Sequence, residues 1–226
     1  MSRNREEKVR EINRTAKPLK TLRESIWGRL EPHLSAMGFK KRARGIFELT
    51  SSTQWTVALV VHSRIQAGIV IVEPGVRSYR KDISEVIGTG LLQHVEQPSV
   101  PPDRLPPVFA SSLVNMMAER GYRRETFDYR FDDEEKCEIA AKMIADDVLF
   151  LFEDISKLLD TKGVLSALKA ERRRFPQQYL RAIAALLFAE HRFAELSKFV
   201  SSVKAQHLSP LDKSFIKYLK KRKSTE

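Results

Sequence analysis

The sequence predicts an α+β protein in which helices pack on an antiparallel sheet of about four strands, followed by an all-helical C-terminal extension. Three observations lead to this prediction. Apolar residues recur at three- and four-residue steps from Leu19 to Met37, strand-forming runs follow between residues 46 and 72, and helical periodicity returns from residue 132 onward. The chain has 226 residues, 42% hydrophobic and 31% charged, which is the composition of a globular protein.

The same patterns divide the chain into three predicted segments. Residues 1–18 form a polar N-terminal arm, residues 19–162 form the α+β domain, and residues 163–226 form the helical C-terminal extension. The arm has only Val9 and Ile12 as spaced apolar residues, so a loose helix is the most structure that its sequence indicates.

An amphipathic helix is predicted at the start of the α+β domain, from Leu19 to Met37. Pro32 lies inside it and lacks a backbone donor, so we expect the helix to kink or split near Glu31. Gly38 suits the position just after a helix, where a left-handed backbone closes the last turn.

A β-meander is predicted after this helix, with strands at residues 46–50, 55–62 and 69–72 and a turn at Pro74-Gly75. Both alternating sets of side chains in the second run are largely apolar, so we expect this strand to be central in the sheet. Aromatic and charged residues alternate from Thr126 to Phe131, which predicts a fourth strand that pairs with the meander.

The remaining sequence is predicted to be mainly helical. Five prolines between residues 98 and 107 indicate an extended connector, and residues 109–118 are predicted to be helical. Apolar residues at helical spacing then predict one long helix from Asp132 to Leu159, followed by four more helices between Val164 and Lys221. Ser209 and Pro210 form a helix-start signal for the last of these.

One segment resembles a known family. Residues 34–42 read Leu-Ser-Ala-Met-Gly-Phe-Lys-Lys-Arg, and Phe47 and a strand beginning at Trp55 follow. This order is similar to that of a bacterial domain of unknown function, whose members carry a Gly-Phe-Lys-Lys-Arg…Phe signature before a β-meander. The resemblance covers residues 19–170. It implies a bacterial protein with an accessory or immunity-type role, and it implies no reaction and no catalytic residue.

Positive charge is concentrated at the two ends of the chain, whose formal net charge is +11. Basic clusters attract phosphates or acidic partners, but they can also keep a strand edge from pairing with other chains. The candidate partner- or nucleic-acid-binding residues are the two most distinctive clusters, which are Lys40, Lys41, Arg42 and Arg44, and Arg172, Arg173 and Arg174.

No catalytic constellation is visible in the sequence. Its single cysteine, Cys137, excludes an intrachain disulfide and a cysteine-rich zinc site, and its five histidines form no metal-binding pair. Acidic residues between Asp128 and Glu138 could hold a divalent cation, but electrostatics at the start of a helix explain them more simply. We therefore predict no cofactor, no metal site and no catalytic residue, and we lean towards a protein that is not an enzyme.

The leading hypothesis is a non-enzymatic bacterial interaction module that recognises a protein partner through the basic loop and the sheet edge. The alternative is a nucleic-acid-binding accessory protein that uses its basic clusters, and a weaker alternative is a metal-dependent nuclease. The N-terminus lacks a secretory signal and the longest apolar run, Ala182–Ala189, is too short to cross a bilayer. These features predict a cytoplasmic protein without membrane contact, whereas its partner and oligomeric state do not follow from the sequence.

Overall fold

The computed structural model describes residues 3–52, 54–92, 105–122, 129–203 and 208–223, with side chains described between residues 18 and 222 of these ranges. The fold is α+β, with helices and an antiparallel sheet, as the sequence predicts. Within these ranges the sheet has six strands and is thus somewhat larger than the predicted four-stranded one.

In the described ranges, three helices lie before residue 120 and six from residue 134 onward. None of those in the described ranges combines the length and the hydropathy that a membrane span requires. Their bounds are α1 Arg3–Ala36, α2 Lys81–Leu92, α3 Leu113–Glu119, α4 Glu134–Phe150, α5 Phe152–Lys157, α6 Thr161–Glu171, α7 Pro176–Ala189, α8 Phe193–Ser202 and α9 Pro210–Lys223.

The sheet has the strand order β1-β2-β3-β4-β5, and β6 also pairs with β4. Hence the fourth predicted strand does pair with the meander, in the part of it that the structure describes, with Val70 opposite Phe131. Ala67 and Gly68 both have positive φ between β3 and β4, as a tight two-residue hairpin turn requires. The strands are β1 Lys40–Ala43, β2 Ile46–Thr50, β3 Trp55–Gln66, β4 Ile69–Arg80, β5 Phe109–Ser112 and β6 Arg130–Phe131.

Residue contacts group the chain into two compact units. The first unit contains Met1–Leu49, Ala58–Val76 and Ser111–Ile155, and the second contains Thr50–Val57, Arg77–Ala110 and Ser156–Glu226. The three-segment division predicted from the sequence remains a prediction.

In the first unit, α1 packs against α4 through its apolar stripe. Ile26, Leu30 and Leu34 on this stripe are fully buried. The helix continues through Pro32 to Ala36 and does not split near Glu31, because buried side chains on both sides of the proline hold it in place. It then closes at Gly38, as predicted.

The end of α1 shows why glycine is needed there. Gly38 has φ 90°, its N–H donates to the Ser35 carbonyl at 3.0 Å, and the Phe39 N–H donates to the Leu34 carbonyl at 3.0 Å. These bonds satisfy carbonyls that the helix leaves open, and Phe39 is buried immediately after them.

Three further local predictions were wrong. The single helix predicted from Asp132 to Leu159 is divided at Leu151 into α4 and α5. Residues 109–112 form strand β5 and not the start of a helix, and β4 runs through Pro74-Gly75 to Arg80 without turning. Gly75 explains part of this difference, since a Cβ atom there would lie 3.2 Å from the Ser111 carbonyl oxygen. A glycine allows the backbone of β5 to approach β4 closely.

In the second unit, α7 is buried nearly all round, because α2, α6, α8 and α9 all pack against it. Its residues from Ala182 to Phe188 are all buried. Most of the predicted proline-rich connector and the start of the predicted fourth strand fall in residues 93–104 and 123–128, outside the described residues.

Candidate functional site

Lys40, Lys41 and Arg42 of the first basic cluster lie on β1, at the edge of the sheet, and Arg44 lies in the turn that follows. Most of the segment predicted as a loop is therefore a strand. All four residues of β1 are exposed. Lys40 lies opposite Glu48 of β2 and Lys41 opposite Phe47, and the register shifts between Lys41 and Ala43.

Two of these cations already have partners. The Lys41 ammonium lies 2.5 Å from the Glu31 carboxylate, and the Arg44 guanidinium lies 3.3 Å from the Glu24 carboxylate. Both glutamates belong to α1. Lys40 and Arg42 differ from them, because neither has a carboxylate within ion-pair distance among the described residues.

The length, exposure and register of β1 indicate what its charges do at the edge of the sheet. The strand is short, exposed and rich in Lys and Arg, and it carries an irregularity in register. Short length, charge and bulges are the features by which proteins prevent an edge strand from pairing with another chain. At β1 these features favour protection of the edge over the docking of a partner strand.

The second basic cluster lies beside a groove in the second unit. Arg172 ends α6, and Arg172 and Arg173 line a groove of about 600 Å³, which we call the arginine groove. Arg174 is not part of its lining. The other lining residues come from α7, α8 and the start of α9, and they are Pro176, Gln177, Tyr179, Leu180, Phe199, Ser202, Val203, Leu208 and Asp212.

The guanidinium group of Arg172 is held by an aromatic pair. It lies over the ring of Tyr179 at 5.2 Å from the centroid, and this ring meets Phe199 edge to face at 6.1 Å. Stacking on a ring restrains the guanidinium plane and leaves its N–H groups available for an acceptor. No described carboxylate forms an ion pair with Arg172 or Arg173.

The one acidic residue in the lining is already compensated. Asp212 is fully buried and accepts hydrogen bonds from Arg181 Nε at 2.7 Å and from the Ser209 hydroxyl at 2.6 Å. The Asp212 N–H in turn donates to Ser209 Oγ, which makes the predicted Ser209 cap one half of a capping box for α9. The net charge of the groove lining is therefore positive.

The acidic residues around residue 133 have structural roles. Asp133 caps α4 by accepting from the Lys136 N–H at 2.8 Å, and this hydrogen bond holds the pKa of its carboxyl below the ordinary value. Asp132 hydrogen-bonds the Lys136 ammonium and thereby raises the pKa of that lysine. Such contacts are those expected for acids at a helix start.

Two further acids on α4 bind one cation of α1. Glu134 and Glu138 both form ion pairs with Arg29, and the hydrogen bond that Arg29 donates to Glu138 is the largest cause of the raised pKa of this arginine. Asp128 lies outside the described residues. Within the part of the chain that the structure describes, no three His, Cys, Asp or Glu side chains lie close enough together to hold a metal ion.

Cys137 lies at a buried position on α4. Its sulfur is 3.4 Å from Ser25 Oγ, and burial raises the pKa of the thiol. A neutral buried thiol behaves as a small apolar side chain, which agrees with the helix position expected from its sequence context.

The sequence selected Arg172 and Arg173 as candidate binding residues, but it predicted neither the groove nor its apolar residues. Tyr179, Leu180 and Phe199 were predicted only to lie in helices, because nothing local shows that α7 and α8 leave a gap beside the end of α6. Comparison with known protein families, with curated proteins and with solved structures finds no match to this chain. The resemblance to a bacterial domain family therefore stays a prediction.

Proposed function

We propose that this protein is a non-enzymatic recognition module that binds a protein partner, and that the arginine groove is a surface through which it does so. The observation that carries the proposal is the combination of two arginines that lack a described carboxylate partner with an adjoining apolar lining. Exposed apolar surface rimmed by polar groups is typical of a binding site.

The composition of the groove supports a protein as the partner. Arginine and aromatic residues are enriched at the centres of protein interfaces, and Arg172, Tyr179 and Phe199 form such a set. The two cationic side chains select for an acidic partner, because complementary charge favours encounter and penalises basic competitors. We therefore propose the groove, and not the sheet edge, as the partner surface.

The biological setting belongs to the same proposal. We propose a cytoplasmic location and, from the family resemblance alone, a bacterial origin and an accessory role related to defence or immunity. Any natural partner would then be an acidic protein of the same cell.

The proposal is tested by charge reversal at the groove. The full-length protein, its R172E/R173E variant and a K162E/K217E variant are used to capture partners from an extract of the source cells. Lys162 and Lys217 are exposed in the second unit and do not line the groove, so the control makes the same change in net charge. We expect R172E/R173E to lose a protein that wild type and control retain.

Retention of every captured protein by R172E/R173E, at an unchanged melting temperature, would contradict this assignment of the groove. Loss of the same protein from both variants would show that total charge, not the groove, controls capture.

A second candidate function is nucleic-acid binding. The observation that favours it is the exposure of Lys40 and Arg42, whose charges no described carboxylate compensates, on a chain with net charge +11. Contacts to phosphate need such cations. If this function is correct, full-length protein binds labelled single-stranded RNA or duplex DNA at low salt, and K40E/R42E weakens that binding more than K162E/K217E does.

A further inference from the structure

The lining of the arginine groove combines cationic and apolar side chains, and this combination restricts what can bind there. Arg172 and Arg173 supply the positive charge at the C-terminus of α6. Leu180 of α7, Phe199 of α8 and Val203, which directly follows α8, contribute apolar surface. A ligand that suits the whole lining must therefore carry both anionic and apolar groups.

Arg172 is already held in a geometry that suits a planar acceptor group. Arg172 is stacked on Tyr179, so little further side-chain freedom is lost when its N–H groups bind a carboxylate. Arg173 directly follows it and is exposed. A carboxylate accepts two parallel hydrogen bonds from a guanidinium group, which gives this contact its geometric selectivity.

The apolar side chains of the lining argue against a nucleic acid as the occupant. A nucleic-acid groove follows the phosphate backbone with many cations, whereas this groove combines two arginines with Leu180, Val203 and Leu208. Aliphatic side chains of this kind gain most from another apolar side chain, since the gain scales with the apolar area removed from water. A short amphipathic peptide segment meets both requirements.

We propose that the arginine groove binds a short amphipathic segment of an acidic protein, with Asp or Glu carboxylates on Arg172 and Arg173 and a large apolar side chain against Leu180 and Phe199. This inference rests on the proposed function and specifies the part of the partner that is recognised. Asp212 does not oppose it, because its carboxylate is already bound by Arg181 and Ser209.

Fluorescein-labelled probes test the inference with the full-length protein. The first probe is a short peptide of mixed Leu and Glu, the second replaces each Leu by Ser, the third replaces each Glu by Lys, and the fourth is a polyuridine oligonucleotide. Fluorescence anisotropy gives the affinity of each probe. We expect the Leu/Glu peptide to bind at least about tenfold more tightly than the other three, since it alone supplies both carboxylates for the arginines and apolar side chains for the rest of the lining.

Two variants locate the binding at the groove. R172E/R173E should weaken the Leu/Glu peptide by about tenfold or more, as expected when hydrogen bonds to charged groups are lost, whereas K162E/K217E should change it little. Ser202→Trp adds a ring to the lining without changing charge, at an exposed position that tolerates a larger side chain. We expect it to block the peptide while leaving the circular dichroism spectrum unchanged.

Equal binding of the Leu-to-Ser peptide, tighter binding of polyuridine, or an unchanged affinity of both groove variants would overturn the inference. So would failure of the Leu/Glu peptide to bind at all. If that failure accompanies a captured protein that depends on Arg172 and Arg173, the proposed function stands and only the amphipathic segment is wrong. If capture also fails to depend on them, both are wrong.

Discussion

Gly28 and Gly90 both lie in helices, but their surroundings differ. A Cβ atom added at Gly28, on the exposed side of α1, would meet no heavy atom within 4 Å. At Gly90 of α2 it would lie 2.3 Å from a ring carbon of Phe215, which is fully buried in α9. A larger side chain would therefore fit at Gly28, where alanine would favour the helix more than glycine does. At Gly90, the absence of a side chain allows α2 and α9 to pack closely.

Opposite effects on stability are expected from the same substitution at these two sites. Gly28→Ala should raise the free energy of unfolding by about 1 kcal/mol, the difference in helix propensity between the two residues. Gly90→Ala should lower it by roughly 1–3 kcal/mol, because a buried ring has to move to admit the methyl group. Urea denaturation followed by circular dichroism measures both. A stabilised Gly90→Ala variant would show that α2 and α9 are not in close contact.

Charge compensation separates the basic residues into two groups. Arg29, Arg80, Arg120, Arg181 and Arg192 all form ion pairs with carboxylates of their own unit. These arginines look the same in the sequence as the ones that line the groove. Sequence clustering selected Arg172 and Arg173 as candidate binding residues, and their role in binding stays a prediction. It could not show that Arg174 lies outside the groove lining or that Lys41 and Arg44 are paired.

At the scale of single elements, β1 behaves as a protected edge. Its side chains are all exposed, so its Lys and Arg residues do not contribute to the core. An exposed edge of apolar, β-branched residues would instead offer unpaired backbone groups to another chain. The buried side chains of β3 and β4 contribute to the core instead, and we expect the charges of β1 to keep other chains from pairing with this edge.

Removing these charges should therefore make the protein self-associate. K40V/R42V gives β1 two β-branched apolar residues and takes away its two cations that lack described partners. We expect a concentration-dependent rise in apparent mass relative to wild type, measured by size-exclusion chromatography with light scattering. K162V/K217V removes the same charge elsewhere in the chain and should leave the mass unchanged. If K40V/R42V keeps the wild-type mass at every concentration, the protective role of the edge charges is refuted.

Element types were predicted well where one periodicity dominated. The stripe of α1 and the all-apolar surface of α7 each indicate the correct element and its burial. Phe109–Ser112 was misassigned because four residues carry no decisive periodicity, and pairing with β4 determines their conformation. Pro74-Gly75 predicts a turn locally, yet the long β4 passes through it.

At the scale of the whole molecule, the net charge of +11 affects any anionic ligand, but it does not identify one. The fold class followed from the sequence because it depends on the pattern of every element. The arginine groove did not, since it is formed by residues from four helices or helix ends whose proximity only packing determines. Its aromatic support for Arg172 is likewise a tertiary contact, between residues of α6, α7 and α8.

Salt dependence distinguishes the two candidate functions at this scale. Binding to single-stranded nucleic acid loses affinity with a log–log slope of about −0.7 for each phosphate contacted, so a ligand that covers many cations is steeply salt-dependent. A peptide held by two arginines and an apolar contact should show a shallow slope, because burial of apolar surface is not screened by salt.

We expect the Leu/Glu peptide to stay bound to the full-length protein from low to physiological salt, and polyuridine to dissociate over the same range. Anisotropy titrations across a sodium chloride series give both slopes. Tighter binding of polyuridine than of the peptide at physiological salt would favour the nucleic-acid function over the protein-recognition function.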